Sequence, residues 1–292
     1  MTTTAAGSAD PAAAGAGSTR SRQLRRLLRK PNFIIGSVIV LAFLLVTILA
    51  PVLTPYDPTE GDFLSTQLPP VLGHPLGTDQ YGRDLLTRVL YGSRTALLAI
   101  LVADGIALVA GSALGLAAGF YGGAADSIIM RVVDVLLAFP YLLLALIIVA
   151  ALGPSLFNAM VAIGVVYTPQ YARLLRGKAL SIRQQEYVQS ARALGARDVR
   201  VMLRHVLPNS AVPILVTATL QAGTVIVETA GLSFLGLGAQ PPTPDWGAIL
   251  ADGQSYFLTS WWIATFPGIA ILLVVLGFNL VGDALRDTLE GG

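Results

Sequence analysis

Long apolar segments constrain this chain more than any other feature of its sequence. Of its 292 residues, 54% are hydrophobic and 12% are charged, which is roughly half the charged fraction of a typical soluble domain. A transmembrane helix requires about 20 consecutive apolar residues, because a bilayer core about 30 Å thick holds no water to pair with free backbone groups. Segments that meet or approach this length span residues 33–53, 96–120, 128–152, 157–171, 211–233 and 263–285. We therefore predict an all-α membrane protein with six transmembrane helices.

The distribution of Lys and Arg predicts that both termini are cytoplasmic, since cytoplasmic loops retain these residues. In that orientation sixteen of the 19 cations are cytoplasmic: Arg20, Arg22, Arg25, Arg26, Arg29, Lys30, Arg131, Arg173, Arg176, Lys178, Arg183, Arg192, Arg197, Arg200, Arg204 and Arg286. The remaining three, Arg83, Arg88 and Arg94, are extracytoplasmic. The opposite orientation would invert this ratio.

The same segments divide the chain into regions. Residues 1–32 are predicted to be a disordered, basic cytoplasmic tail, because their first part is rich in Ala, Gly, Ser and Thr. Residues 33–53 are predicted to be a retained anchor; a cleaved secretory signal is the alternative, but this apolar stretch is long and lacks a small-residue cleavage site. The remaining regions are an extracytoplasmic loop at 54–95, a core at 96–285 with a cytoplasmic loop at 173–205, and a cytoplasmic tail at 286–292.

The extracytoplasmic region 54–95 changes character along its length. Prolines exclude a regular helix from its first half. Asp79 is a candidate N-cap. After it, one helical face carries the apolar residues Leu85, Leu86, Val89 and Leu90, and the other carries Arg83, Asp84, Thr87 and Arg88. This pattern predicts a short helix that lies at the outer membrane interface.

Several function classes are excluded by what the sequence lacks. It has no Cys, which excludes Cys chemistry. Its two His, His74 and His205, are far apart, which disfavours a His-rich metal site. The formal net charge of +2 disfavours nucleic-acid binding through phosphate neutralisation. A phosphate-binding loop is also missing, because Gly177-Lys178 is followed by Ala179. We therefore predict no catalytic residue, metal or cofactor in this chain.

Small residues and a proline mark two of the predicted membrane spans. Gly111, Gly115 and Gly119 recur at intervals of four, which places them on one side of the second span, where a neighbouring backbone can approach closely. The alternative is that Gly is simply common in membrane helices. Pro140 lies in the middle of the third span and is predicted to kink it. Such a kink can line a translocation path or serve packing alone.

Ionisable residues at membrane depth are costly and therefore suggest function. Asp104 and Glu228 are the deepest. They could contact a transported solute or relay protons, or they could be structural carboxylates in a polar helix interface. At the inner end of the third span, Arg131 and Asp134 have a spacing that permits a local ion pair.

The basic cytoplasmic loop contains a helix–glycine–helix pattern. Residues 184–194 are good helix formers, Gly195 stands where a helix would stop, and a second helical run begins at Ala196. The alternative is a basic loop held to anionic lipid headgroups. Two defined helices are more than lipid attraction requires.

This loop resembles that of a known family. The segments EYVQSARALG at 186–195 and HVLPN at 205–209 are similar to the conserved cytoplasmic loop of binding-protein-dependent ABC importer permeases, although Gln189 and Ser190 stand where the family more often has Glu and Ala. The segments GTDQYGRD at 77–84, LSFLGLG at 232–238 and FNLVGDALRD at 278–287 resemble the C-subunit-type permeases of dipeptide, oligopeptide and nickel importers.

The resemblance implies a type I ABC importer permease fold, with 33–53 as a peripheral helix and the other spans as a five-helix core. It implies a heterodimer with a B-type permease, one or two cytoplasmic ATPase subunits that bind ATP and Mg, an extracytoplasmic solute-binding protein, and the plasma membrane of a prokaryote. The loop would be the helix that couples to the ATPase, through Glu186, Tyr187, Gln189, Ser190, Ala191, Leu194, Gly195, Ala196, His205 and Pro208. The main alternative is a proton-coupled secondary transporter that uses Asp104 and Glu228, but such a protein should contain inverted repeats, and none is evident.

Overall fold

A computed structural model describes residues 26–289, except for the side chain of Arg192. Most of the predicted tail 1–32 and the last three residues therefore lie outside the described part. Residues 26–289 contain no β-strand, and two isolated β-bridges lie between residues 71 and 84. The prediction of an all-α protein is confirmed.

Residues 26–289 contain eleven α-helices of four or more residues. They are α1 (Pro31–Leu53), α2 (Leu85–Ala99), α3 (Gly105–Tyr121), α4 (Gly123–Leu137), α5 (Tyr141–Leu152), α6 (Leu156–Arg183), α7 (Glu186–Ala193), α8 (Asp198–Val201), α9 (Ala211–Phe234), α10 (Trp246–Gln254) and α11 (Trp262–Leu289). A π-helical turn, Ile100–Asp104, joins α2 to α3, and a second one, Met202–Val206, follows α8.

Four helical segments are long and apolar enough to cross a membrane: α1, the continuous unit α2–α3, α9 and α11. The pair α4 and α5 would make a fifth span, although its two parts are bent by 95°. The predicted span 157–171 lies within α6, which is long enough at 28 residues but carries polar residues and, near its end, four cations. The six-span count therefore remains a prediction.

The predicted interfacial helix is not a separate element. Asp84, rather than Asp79, caps α2 by accepting a hydrogen bond of 2.7 Å from the backbone N–H of Thr87, and the helix then continues into the second span. Asp79 instead accepts a hydrogen bond of 2.6 Å from Nε of Arg83. The amphipathic pattern correctly predicts a helix, but these residues form the first turns of a longer helix.

Pro140 does more than kink the third span. α4 ends at Leu137 and α5 begins at Tyr141, immediately after the proline. Because Pro140 has no N–H to donate to the preceding turn, the helix is interrupted, and the chain restarts in a direction that differs by 95°.

The core lies where α6 meets α3, α5 and α9. Buried members include Ala107, Val149, Ile163, Tyr171 and Val225. Because these side chains come from four different helices, their burial fixes the orientation of α6. The positions of the segment between α6 and α9 and of the carboxylates Asp104 and Glu228 follow from that orientation.

Candidate functional site

The loop that the sequence predicts to be cytoplasmic is shorter than expected. α6 continues to Arg183, so four of the cations assigned to the loop 173–205 belong to a regular helix. The segment between α6 and α9 contains α7 and a second helical stretch that begins at Asp198. This second helical stretch begins two residues later than the predicted start at Ala196. The reason is that Arg197 is its N-cap and has an extended backbone.

Gly195 ends α7 in a left-handed conformation, with φ of +83°. The N–H of Ala196 donates to the carbonyl oxygen of Ala191 at 3.0 Å. This bond spans five residues, as in the Schellman motif that closes many helices with glycine. A Cβ on Gly195 would meet no atom within 4 Å. The requirement for glycine within this chain is therefore conformational and not steric.

Buried valines anchor the two loop helices to the membrane-spanning part. Val188, Val201 and Val206 have no exposed surface and pack against a cluster that includes Phe120 of α3 and Leu175 of α6. Because this cluster joins both helices to α3 and α6, a displacement of the loop would be transmitted to those helices.

Two large side chains are exposed at the two ends of α7, Tyr187 in its first turn and Leu194 one residue after its last. Tyr187 is 44% exposed and Leu194 is 88% exposed, and their spacing of seven places them on one face. We call this pair the exposed loop face. Nδ2 of Asn209 donates to the Tyr187 hydroxyl at 3.2 Å, and the His205 ring lies 5.7 Å from the Tyr187 ring. The structure therefore brings Tyr187 and His205, which are distant in sequence, into contact.

The other residues that the resemblance assigned to the loop fall into two groups. Glu186, Gln189, Ser190 and Pro208 are exposed. Ala191 and Ala196 are half-buried beside the Gly195 turn. Gln189 donates to the carbonyl oxygen of Gln184 at 3.1 Å, so its amide stabilises the start of α7.

Salt bridges between α4 and α6 were not predicted. Asp134 accepts from Arg173 at 2.7 Å, so the predicted local pair of Arg131 with Asp134 is wrong. Arg176 binds Asp126 through two hydrogen bonds of 2.5 and 2.7 Å. The partners are 39 and 50 residues apart, a separation that no local spacing rule can detect. These pairs connect the end of α6 that leads into the loop to α4.

The three glycines of α3 line its contact with α6. A Cβ on Gly111 would lie 2.5 Å from the carbonyl oxygen of Thr168, and one on Gly119 would lie 2.6 Å from that of Arg176. Between them, Gly115 faces the carbonyl oxygen of Ala172 even more closely. Any side chain at these positions would push the two backbones apart.

The two deep carboxylates each bind a tyrosine of α6. The Tyr171 hydroxyl donates to Asp104 at 2.6 Å, and the Tyr167 hydroxyl donates to Glu228 at 2.5 Å. Asp104 ends the π-helical turn and is 7% exposed. These bonds link α6 to two other spans, which favours a structural role for both carboxylates. Within residues 26–289, no group of three or more His, Asp or Glu could hold a metal ion.

Comparison with known proteins identifies the family. Residues 111–291 match the family described as binding-protein-dependent transport system inner membrane component. The chain belongs to this family. Residues 18–70 match the N-terminal transmembrane domain of oligopeptide transport permease C. This family member is thus a multi-pass membrane permease component of an ABC transporter, and not its catalytic subunit.

Individual relatives are similar over nearly their whole length. The chain is 46% identical to the dipeptide transport system permease protein DppC of Alkalihalophilus pseudofirmus, over 91% of this chain and 88% of that protein. It is 48% identical to a probable D,D-dipeptide transport system permease protein of Escherichia coli, over 89% and 87%. It is 43% identical to a glutathione transport system permease protein of Pectobacterium atrosepticum, over 91% and 89%.

A solved structure shares the fold. A chain of the inward-facing MetNI methionine ABC transporter matches with a TM-score of 0.53 at 21% identity, over 70% of this chain and 96% of that chain. This match confirms the type I importer permease fold. None of the relatives named above is a proton-coupled secondary transporter, so the alternative that uses Asp104 and Glu228 is not supported.

Proposed function

We propose that this family member is the C-type permease subunit of an ATP-driven importer of peptides or peptide-sized solutes. Its similarity to a dipeptide permease along about nine tenths of both chains carries the proposal. It would form the translocation path together with a B-type permease. Deletion of its gene should abolish uptake of a labelled dipeptide, and expression of the intact chain should restore it. Unchanged dipeptide uptake in the deletion strain would refute dipeptides as the cargo.

We further propose that the exposed loop face docks on a cytoplasmic ATPase subunit, which would supply the ATP and Mg sites of the importer. Two apolar side chains on a short helix are costly to leave in water, and their burial in a partner would stabilise the complex. The valine anchors beneath them would transmit the movement of the ATPase to α3 and α6. Purification of the complete importer should yield ATPase activity, whereas this chain alone should yield none.

The proposed orientation places this loop and both termini in the cytoplasm and the segment 54–84 outside. The charge distribution supports it, and the contacts of two of the three outer cations add to that support. Arg83 lies 2.6 Å from a carboxylate oxygen of Asp79 and 3.6 Å from one of Asp252, and Arg88 lies 3.4 Å from the same Asp79 oxygen. Two carboxylates therefore compensate the charges of these two arginines. An extracytoplasmic solute-binding protein would then meet the side that carries residues 54–84.

The broken span formed by α4 and α5 is the proposed contact with the B-type permease. Its exposed apolar side chains include Val132, Leu143 and Ile147, which are 53–57% exposed. Because the break at Pro140 changes the direction of the chain, α4 and α5 present these side chains at different angles. We place the translocation path along this break. Cysteines at Leu143 and Ile147 should form crosslinks to the B-type subunit in the assembled importer, and crosslinks only within this chain would contradict the assignment.

A further inference from the structure

A stripe of polar and small residues runs along α9, a helix long and apolar enough to cross the membrane. Its members recur at alternating intervals of four and three residues, which confines them to about 80° of the helix circumference. Every Leu, Ile and Val of α9 lies outside this sector. We call this set the polar stripe, and it consists of Thr217, Gln221, Thr224, Glu228 and Gly231.

The polar stripe crosses the middle of the membrane. Between its first and last members α9 rises by about 21 Å, which is roughly two thirds of the thickness of the hydrocarbon core. Its centre, Thr224, lies within two residues of the midpoint of Ala211–Phe234. Side chains such as Gln and Glu are costly against lipid at this depth and instead face protein or a water-filled cavity.

One edge of the polar stripe is packed in the core, and the other edge is open. Val225 and Leu232 flank the stripe on the side of α6 and are buried in the same cluster as Tyr167. Thr224 itself is exposed, and a Cβ on Gly231 would meet no atom within 4 Å. The polar stripe therefore borders a space outside this chain, next to α6.

Two groups of the polar stripe are available for hydrogen bonds. Gln221 is 6% exposed, and its Nε2 lies near the Tyr167 hydroxyl without the geometry of a hydrogen bond. Glu228 accepts from Tyr167 with Oε1, whereas its Oε2 has no hydrogen-bond partner within residues 26–289. The structural bond to Tyr167 thus uses only one of the two carboxylate oxygens. Because buried polar groups without partners are destabilising, a ligand that supplies the missing partners would be favoured here.

Stacked tyrosines connect the polar stripe to the break at Pro140. Tyr141 is the first residue of α5 and is 39% exposed. Its ring lies 5.5 Å from the Tyr167 ring, at an angle of 20° between the two planes. Nε2 of Gln170 donates to the Tyr141 hydroxyl at 3.4 Å. Polar and aromatic groups therefore continue from the break, through α6, to α9.

We propose that the polar stripe forms one wall of the translocation path and binds the peptide groups of a passing solute, with Gln221 and Glu228 as its selective contacts. This inference rests on the proposed import function. A peptide carries an N–H and a C=O at nearly every residue, and these groups need partners wherever water is scarce. The Gln221 amide can donate to a carbonyl oxygen, and the free oxygen of Glu228 can accept from an N–H or an ammonium group.

A helix of the B-type permease is the competing occupant of the polar stripe. Tight interfaces between membrane helices are enriched in small residues that let the backbones approach closely. Gln221 and Glu228 are long, and each has an atom without a hydrogen-bond partner within residues 26–289. This combination favours a ligand that enters and leaves over a permanent helix contact.

The test measures water at the polar stripe with single Cys variants of the assembled importer in proteoliposomes. A small charged thiol reagent reacts with the thiolate, which forms poorly in lipid, and mass spectrometry quantifies the label on this chain. Leu272→Cys is the control, because Leu272 lies near the middle of α11 and is 64% exposed on an apolar face. We expect Thr224→Cys to react about tenfold faster than Leu272→Cys, or more.

Two results of the labelling would overturn the proposal. One is an equally slow reaction of Thr224→Cys and Leu272→Cys in the assembled importer. The other is a fast reaction of Thr224→Cys in the isolated chain that is lost on assembly, because the polar stripe would then be an interface with the B-type subunit.

Substitution of Gln221 tests the selective contact. Gln221→Leu keeps a similar volume without the amide, and we expect dipeptide uptake to fall about threefold to tenfold while the subunits still co-purify. Thr219→Val is the matched control on the same helix, because the Thr219 hydroxyl donates to the carbonyl oxygen of Leu215 at 2.8 Å and lies outside the stripe. Its uptake should equal that of the wild type.

Unchanged uptake in Gln221→Leu would overturn the contact. Failure of this inference can be told apart from failure of the import function. A wild-type importer that takes up no dipeptide refutes the proposed function. Normal wild-type uptake together with an unreactive Thr224→Cys refutes only the assignment of the polar stripe to the path.

Discussion

Tyr171 on α6 donates a hydrogen bond of 2.6 Å to the carboxylate of Asp104, at the end of the π-helical turn that joins α2 to α3. Tyr171 has no exposed surface and Asp104 is 7% exposed. A carboxylate this deep would be costly without a partner. The bond therefore explains how Asp104 is tolerated without a role in proton transfer.

The first prediction concerns this bond. Tyr171→Phe leaves the Asp104 carboxylate without its donor, and we expect a destabilisation of about 1–3 kcal/mol, measured as a lower midpoint of thermal unfolding in detergent. Tyr121→Phe is the matched control, because Tyr121 is 53% exposed. Asp104→Asn should be milder, since the amide oxygen can still accept the bond. Equal midpoints for Tyr171→Phe and Tyr121→Phe would contradict the structural role.

The second prediction tests the glycine contact between α3 and α6. Gly115→Ala adds a Cβ against the carbonyl oxygen of Ala172, and we expect it to cost about 1–3 kcal/mol through overpacking. Gly105→Ala is the control, because a Cβ there meets nothing within 4 Å and alanine favours the helix. Thermal stability of the purified chain should fall for Gly115→Ala only. A similar fall in both variants would show that the contact has no special need for glycine.

The third prediction tests the orientation. The chain has no Cys, so a thiol reagent can label only the single Cys that is introduced. Leu72 and Leu258 have exposed fractions of 106% and 98%, and their Cys variants should react with an impermeant thiol reagent in intact cells. Ser181→Cys should react only after the cells are permeabilised. Labelling of Ser181→Cys in intact cells would require the opposite orientation.

The fourth prediction concerns the turn at Gly195. A residue with a β-carbon at φ of +83° costs on the order of 1–2 kcal/mol. Gly195→Val should therefore deform the end of α7, reduce co-purification of the ATPase and impair uptake, while membrane insertion stays normal. Gly195→Asn should be milder, because asparagine tolerates this conformation.

Gly177→Val is the control for that experiment. Gly177 lies in α6 and has open space around its Cβ position, but no positive φ is required there. If Gly195→Val retained the ATPase as well as Gly177→Val does, the coupling role of the loop would be contradicted. An effect of neutralising Arg197, Arg200 and Arg204 together that exceeds the effect of Gly195→Val would instead favour attachment to anionic lipid.

The sequence predicts those features that depend on composition or local spacing. The predicted apolar segment 33–53 corresponds to α1 at Pro31–Leu53, and 211–233 corresponds to α9 at Ala211–Phe234. The agreement is close because the thickness of a bilayer sets the length of a helix that spans it. Gly195 adopts the left-handed backbone expected of a helix stop for a similarly local reason.

Features that depend on long-range packing cannot be predicted from local sequence patterns. Asp134 has a cation three residues away, yet it binds Arg173 on another helix, because the tertiary fold decides which neighbour is nearer. The contact of Arg94 with Thr47 depends in the same way on how α1 lies against α2. The continuity of α2 and α3 depends on a π-helical turn that has no clear sequence signature.

The most direct test of the proposed function is peptide uptake into proteoliposomes that contain this chain, its B-type partner and the ATPase subunits, with the binding protein on the outside. ATP and Mg are enclosed in the lumen, and a protonophore removes any proton gradient. We predict that uptake of a labelled dipeptide continues with the protonophore and stops when ATP is replaced by a non-hydrolysable analogue. Uptake that stops with the protonophore and continues without ATP hydrolysis would contradict the assignment of this chain to an ATP-driven importer.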